Sequence, residues 1–162
     1  MLGRDYASQN CSIARTLEIV GERWTLLVLR EAFLGTRRFD DFQKELGIAR
    51  NVLQARLERL VEEGVLERRR YQERPPRYAY RLTDAGRDLL PVLIALMGWG
   101  DRHRAPGGAP TLVLHEGCGG TIDAALGCDR CGVRPVPASE VVVVAGPGAV
   151  PGQRVSATRA LA

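Results

Sequence analysis

Two short segments with helical hydrophobic spacing lie only three residues apart, and this closeness constrains the fold more than any other feature of the chain. The first has Phe39, Phe42 and Leu46 at i, i+3 and i+7 and ends before Gly47. The second covers about 50–63, carries its leucines on one side and is also followed by a glycine. This gap matches the tight turn that presents the second helix of a helix-turn-helix to a DNA groove.

The hydrophobic period changes directly after the second of these helices. Residues 65–71 and 77–83 predict two short strands, and apolar and polar side chains alternate in the second. Between them, Pro75 and Pro76 prevent continued strand pairing and predict a turn. Two strands after a helix-turn-helix form a wing. The predicted fold class is therefore a mainly helical winged helix-turn-helix with a small β-wing.

Helical periodicity also predicts elements on both sides of this unit. Two helices precede it, over 11–21 and 24–34, and a last helix begins at Thr83 as N-cap and contains Pro91 as a local kink. Apolar side chains nearly encircle that helix over 89–97. One small core cannot cover them, so the helix is a predicted dimer interface. The alternative is that the C-terminal residues fold back over it.

The amino-acid composition changes sharply at residues 105–110 and divides the chain into two parts. We predict a DNA-binding and dimerisation domain at 1–104, a linker at 105–110, a small β-rich, zinc-knuckle-like module at 111–145 with a strand at 141–144, and a disordered tail at 146–162. The net charge of +4 lies entirely in the first part, which holds 19 basic and 15 acidic residues against 4 and 4 in the remainder. This asymmetry favours a polyanionic partner for the N-terminal domain.

Four potential metal ligands form two pairs in the C-terminal module. His115 and Cys118 are the first pair and Cys128 and Cys131 the second, giving the spacing H-x2-C-x9-C-x2-C. A glycine after each pair lets backbone amides turn toward a sulfur. Four nitrogen and sulfur ligands suit a tetrahedral, structural zinc site with no position open to water. A redox pair of Cys128 and Cys131, or an empty knuckle, remains open as an alternative.

The sequence also excludes several classes of protein. It shows no signal peptide, and no apolar run approaches the roughly 18 residues that indicate a membrane span, so we expect a cytoplasmic protein. Cysteines in that compartment favour reduced thiols or metal ligands. There are only two histidines, His103 and His115, and there is no Ser/His/Asp arrangement or phosphate-binding glycine loop. An enzyme is therefore not expected.

Residues 10–104 resemble HxlR-type regulators, a branch of the MarR-like winged-helix proteins. The resemblance is carried by CSIARTLEIVGERWTLLVLREAFLGTRRFDDFQKELGIARNVLQARLERLVEEGVLERR and by RYAYRLTDAGRDLLPVLIALMGWGDRH after the wing. It implies a homodimeric, nucleoid-associated bacterial transcriptional regulator, by prediction a repressor, that binds an inverted-repeat operator and responds to oxidants, electrophiles or a small molecule. The alternative is a winged-helix adaptor for protein contacts, with a structural zinc knuckle and no specific operator.

The predicted recognition helix carries Arg50, Asn51 and Gln54 away from its leucine side. Arginine pairs with guanine, and asparagine or glutamine with adenine, which makes these three residues the predicted base readers. The further DNA contacts that we predict are Arg37, Arg38, Arg56, Arg74 and Arg77. The wing arginines fit either insertion into a minor groove or contact with phosphates, and the sequence leaves both open.

Cys11 lies at the start of the first predicted helix, where oriented amides favour a thiolate. In the resembling family, a cysteine at the matching position senses oxidants or electrophiles in some members. Arg15, one turn later, is a nearby positive charge that would assist such a role. A small residue near a helix start, with no sensing role, is the alternative.

Overall fold

The computed structural model describes residue 6 and residues 10–151. Its helices are α1 (Ser12–Val20), α2 (Thr25–Phe33), α3 (Phe39–Leu46), α4 (Arg50–Glu62), α5 (Asp84–Arg87) and α6 (Leu90–Arg104). Its strands are β1 (Leu66–Gln72), β2 (Arg77–Leu82), β3 (Thr111–His115) and β4 (Val141–Ala145), and a 3₁₀ turn (Ala138–Glu140) precedes β4. The described residues form two compact units, an N-terminal unit that extends to residue 86 and a C-terminal unit that combines 33–35 with the chain from 87 onward.

The N-terminal unit contains the predicted helix-turn-helix. Gly47 ends α3 in the left-handed conformation, with φ 60°, and its amide donates to the carbonyl of Gln43. Leu53, Leu57 and Leu60 of α4 are fully buried, as the periodicity predicted. Burial of this one side of α4 leaves the opposite side exposed, which is the geometry that a recognition helix requires.

The wing follows directly and confirms the predicted fold class. β1 and β2 pair antiparallel, from Leu66 opposite Leu82 to Gln72 opposite Arg77, with a register shift next to Gln72. The amide of Tyr80 in β2 donates to the carbonyl of Arg37 over 2.7 Å, so the wing is hydrogen-bonded to the segment before α3. The Tyr80 ring also meets buried Phe42 of α3 edge to face, with the centroids 6.4 Å apart.

The prediction of one continuous last helix is wrong. The chain forms two helices, α5 and α6, and Pro91 lies in the first turn of α6, where a missing N–H leaves no hydrogen bond unmade. Thr83 caps the first of them as predicted, since its hydroxyl accepts from the amide of Gly86. Gly86 is buried so closely that a Cβ there would lie 2.2 Å from the carbonyl oxygen of Val65.

The C-terminal unit includes α6, a helix that the sequence analysis assigns to the 1–104 domain. β3 and β4 pair antiparallel, with Thr111 opposite Ala145 and His115 opposite Val141. The predicted strand at 141–144 is confirmed as β4, whereas β3 was not predicted. The last residue of β3 and the segment between β3 and β4 carry the candidate metal ligands.

Hydrogen bonds continue beyond β4. The amides of Gly146 and Gly148 donate to the carbonyls of Pro110 and Ala109. Residues 152–162 of the predicted tail lie outside the described residues. Within the described part of the chain, no helix is both long enough and apolar enough to cross a bilayer.

Candidate DNA-reading surface and candidate metal centre

The exposed side of α4 carries two of the predicted base readers. Asn51 and Gln54 are exposed, and they lie on one stripe with Ala55 and Glu58 at i, i+3, i+4 and i+7. The amide Nε2 of Gln54 donates to Oε1 of Glu58 over 2.9 Å. This exposed hydrogen bond orients the Gln54 side chain along the helix.

Arg50 belongs to a different surface, an open groove of about 360 Å³ between the start of α3, the start of α4 and the wing. Its guanidinium lies over the ring of Phe39, 4.6 Å from the centroid, and 3.8 Å from the carboxylate of Asp40. The full lining of this groove is Arg38, Phe39, Asp40, Arg50, Tyr71, Pro75, Pro76, Arg77, Tyr78 and Tyr80. Three arginines against one carboxylate make the groove basic.

The remaining predicted contacts differ in how free their guanidinium groups are. Arg37 donates through Nη1 to the carbonyl oxygens of Ala32 (2.6 Å) and Thr36 (3.2 Å). Arg56 forms an ion pair of 3.3 Å with Glu22, and its side chain is only 25% exposed. Arg74 and Arg77, by contrast, are exposed at the turn of the wing and at the start of β2.

Cys11 is the residue before α1, and its thiol is free and partly exposed. The nearby Arg15 donates through Nη2 to Oδ1 of Asn10 over 2.8 Å. The guanidinium that would assist a thiolate is therefore already hydrogen-bonded to another side chain. A sensing role for Cys11 stays a prediction.

The four predicted metal ligands come together in the C-terminal unit. The Nδ1 atom of His115 lies 3.2 Å from Sγ of Cys131 and 3.4 Å from Sγ of Cys118, and Sγ of Cys128 lies 3.3 Å from Sγ of Cys118. All four ligand atoms lie within 4.8 Å of one another. A tetrahedral zinc ion with bonds of about 2.0–2.3 Å needs ligand atoms roughly 3.5–3.8 Å apart, so the donor set and its spacing fit this metal.

Each of the two pairs of ligands lies in its own backbone turn, and the two turns are of the same type. The amide of Gly119 donates to the carbonyl of His115 over 2.7 Å, and the amide of Gly132 donates to the carbonyl of Cys128 over 3.1 Å. Both glycines have positive φ, 68° and 75° respectively. Since only glycine adopts this conformation without strain, the glycine after each pair is a requirement of the turn, as the sequence predicted.

The surroundings of the cluster shift the pKa values of Cys128 and His115 in opposite directions, which favours a thiolate at Cys128 and a protonated ring at His115 in the absence of a metal. The amides of Cys131 and then of Arg130 donate to the thiol of Cys128 and lower its pKa to about 6. The carboxylate of Glu140, followed by Cys128 and Cys131, raises the pKa of His115 to about 9. A thiolate at neutral pH is the form of cysteine that binds a metal.

Glu140 is a neighbour of the cluster that sequence reasoning missed. Its Oε2 lies 2.7 Å from Nε2 of His115, on the side of the ring away from the thiols. The sequence contains one signal: Glu140 is the only acidic residue after Asp129, and it directly precedes the predicted strand at 141–144. The contact between Glu140 and His115 can be inferred only when that strand is paired with the strand that ends at His115.

Comparisons with known proteins identify the family to which the chain is similar. A family model described as HxlR-like helix-turn-helix matches residues 19–107. A Mycobacterium tuberculosis protein, Rv3095, described as an uncharacterized HTH-type transcriptional regulator, is 48% identical over 138 residues, which are 85% of this chain and 87% of that protein.

Two solved structures are similar as well. PA1607, a candidate transcription factor, is 36% identical with a TM-score of 0.58, and the match covers 91% of this chain and 94% of that one. HypR, described as a redox regulator and solved in its oxidized form, is 29% identical with a TM-score of 0.54, over 58% of this chain and 98% of that one. The match to PA1607 extends beyond the range of the family model.

Proposed function

Because the chain belongs to the HxlR-like helix-turn-helix family of DNA-binding transcriptional regulators, which are not enzymes, we propose that it is a sequence-specific repressor that binds an inverted-repeat operator as a homodimer. The observation that carries this proposal is the exposed polar stripe of α4 above a buried leucine side, next to a basic groove that includes the wing. A helix of this kind enters the major groove while neighbouring cations hold the phosphate backbone.

The two surfaces have different tasks in this proposal. Asn51 and Gln54 read base edges, because their amides can form bidentate pairs with adenine. Arg38, Arg50 and Arg77, which line the groove, neutralise phosphates, together with Arg74 at the tip of the wing. The contributions of Arg37 and Arg56 are smaller, because both guanidinium groups already bind protein oxygens.

Selection of genomic fragments by the purified protein, followed by footprinting, tests the proposal. We expect enrichment of inverted repeats whose half-sites lie about one helical turn apart. Equal affinity for all duplexes would contradict it and would favour the alternative, a winged-helix adaptor for protein contacts. A reporter gene placed behind a selected operator then distinguishes repression from activation.

A contact between the wing and a DNA phosphate predicts that the salt dependence of DNA affinity changes when the contact is removed. Arg74→Ala removes an exposed guanidinium at the wing turn, so the slope of log K against log salt should become shallower by about 0.9, the value for one lost phosphate contact. The affinity should fall about equally for operator and random DNA. Arg102→Ala, an exposed arginine of α6, removes the same charge and serves as the control. An unchanged slope for Arg74→Ala would exclude the contact.

The homodimer is supported by an apolar stripe on α6. Val92, Leu96 and Trp99 lie at i, i+4 and i+7 and are 40%, 49% and 52% exposed. Three large apolar side chains on one exposed helical stripe usually mark an interface. In the proposed dimer, this stripe packs against the same stripe of a second copy of the chain.

Leu96→Asp therefore tests the dimer. A carboxylate at the centre of the stripe would be buried without a partner, and we expect the dimer dissociation constant to rise at least about 100-fold. Sedimentation analysis measures this, and the affinity for the full inverted repeat should fall together with dimer formation. Arg102→Asp, which lies on the same helix outside the stripe, should remain dimeric. A dimeric Leu96→Asp variant would refute the assignment of this face.

We further propose that His115, Cys118, Cys128 and Cys131 hold a structural zinc ion. Four protein ligands leave no position for water, so the ion would stabilise the fold of the module and perform no chemistry. The competing thiol switch uses two of these residues, Cys128 and Cys131.

The response to oxidants stays a prediction. It is supported by similarity to HypR, which is described as a redox regulator, and by the partly exposed thiol of Cys11 at the start of α1.

A further inference from the structure

The imidazole of His115 is in contact with two different groups. Its Nδ1 atom faces the sulfur atoms of Cys131 and Cys118, at 3.2 and 3.4 Å. Its Nε2 atom faces Oε2 of Glu140 at 2.7 Å. A ring nitrogen that binds a metal cannot carry a proton, so the two nitrogens must take opposite roles. The geometry assigns the metal to Nδ1 and the proton to Nε2.

The backbone holds Glu140 in this place. His115 is the last residue of β3 and pairs with Val141, the first residue of β4, so Glu140 lies one residue beyond the paired position. The amide of Glu116 donates to the carbonyl of Glu140 over 2.7 Å and extends the pairing by one step. Val141 is fully buried, which anchors this end of β4.

Burial differs sharply between the two side chains. The His115 side chain is 7% exposed, whereas that of Glu140 is 47% exposed. The Glu140 carboxylate therefore keeps its contact with water while it accepts a hydrogen bond from a buried ring. Without it, the Nε2–H group of His115 would lose this acceptor in a buried position, which is costly.

We propose that Glu140 is the positioning residue of the metal centre: its carboxylate accepts the Nε2–H of His115, fixes the tautomer and the ring orientation, and thereby leaves the lone pair of Nδ1 for the metal. This inference depends on the zinc site put forward under the proposed function. Carboxylates that orient a ligating histidine in this way contribute typically about 10–100-fold to metal affinity.

Zinc competition with a chromophoric chelator tests the inference on the full-length chain. Glu140→Ala should weaken zinc binding about 10–100-fold. Glu140→Gln should lose less, because its amide oxygen can still accept the hydrogen bond from Nε2–H. Asp101→Asn removes an acidic charge on α6, outside the cluster, and should stay within about twofold of the parent protein.

Nitrogen-15 spectra of the zinc-loaded protein provide a readout that a merely structural role would not change. His115 should show a metal-bound Nδ1 and a protonated Nε2 whose proton exchanges slowly, and Glu140→Ala should accelerate that exchange. His103, the other histidine, is the internal reference. Ligation through Nε2, or parental affinity and exchange in Glu140→Ala, would overturn the role of Glu140 alone. A parent protein that binds no zinc would overturn both this inference and the zinc site.

Discussion

Cys128→Ser is expected to abolish zinc binding and to unfold the segment between β3 and β4, while the helix-turn-helix stays folded. Cys128 is buried, and its sulfur lies 3.3 Å from that of Cys118, so its loss removes a central ligand. Structural zinc contributes an apparent 10–16 kcal/mol, roughly, to the folding of small zinc modules. Among the side chains that the structure describes from β3 to β4, few are apolar and buried and could compensate; they are Val113, Ile122, Val136 and Val141.

Elemental analysis and hydrogen exchange measure this effect together. The parent protein should carry one zinc per chain, and the amides of β3 and β4 should be protected. Cys128→Ser, or the parent protein treated with a chelator, should lose both the zinc and the protection, whereas the amides of α4 remain protected. Cys11→Ser removes a thiol outside the cluster and is the matched control.

Less than half an equivalent of zinc in the parent protein, purified without chelators, would contradict the metal site. Reversible formation of a Cys128–Cys131 disulfide in such a protein would support the thiol switch instead. Retained protection of β3 and β4 in Cys128→Ser would show that the module folds without its metal.

The double variant Asn51→Ala, Gln54→Ala is expected to lose sequence-specific DNA binding and to keep its fold. Both side chains are exposed on α4, so their removal leaves no cavity and no buried group without a partner. Each bidentate pair with a base contributes about 1–3 kcal/mol of discrimination. The affinity for the operator should therefore fall about 30-fold or more.

Binding to random DNA distinguishes base reading from simple electrostatic attraction. Neither side chain is charged, so the affinity for random duplex and the salt slope should not change in the double variant. Glu62→Gln, an exposed change at the C-terminal end of α4, should bind the operator within about twofold of the parent protein. An equal loss on operator and random DNA, with an unchanged melting temperature, would remove these two residues from the set of base readers.

Local patterns were sufficient for most of the N-terminal unit. The burial of Leu53, Leu57 and Leu60 follows from helical periodicity alone, because a helix with apolar residues on one side must bury that side. The left-handed conformation of Gly47 follows from its position after a helix. The spacing of the cysteines and His115 likewise predicted a cluster that the structure brings together.

The start of α6 and the partners of two arginines depend on contacts between residues that are not neighbours in the sequence, so a local pattern could not predict them. Pro91 is compatible both with a kink inside a helix and with a helix start, and a local pattern does not distinguish the two. Arg37 contacts the carbonyl of Ala32, five residues earlier, and Arg56 contacts Glu22, which lies outside its helix, so a sequence pattern could not identify these partners.

Residue spacing by itself determined most of the elements, the helix-turn-helix and the four candidate metal ligands, because each of these depends on neighbours a few positions apart. Only the tertiary structure decided that Glu140 meets His115, 25 residues earlier in the chain. That contact exists because β3 and β4 pair in one particular register, and a shift by one residue would turn the side chains of a strand to the opposite face.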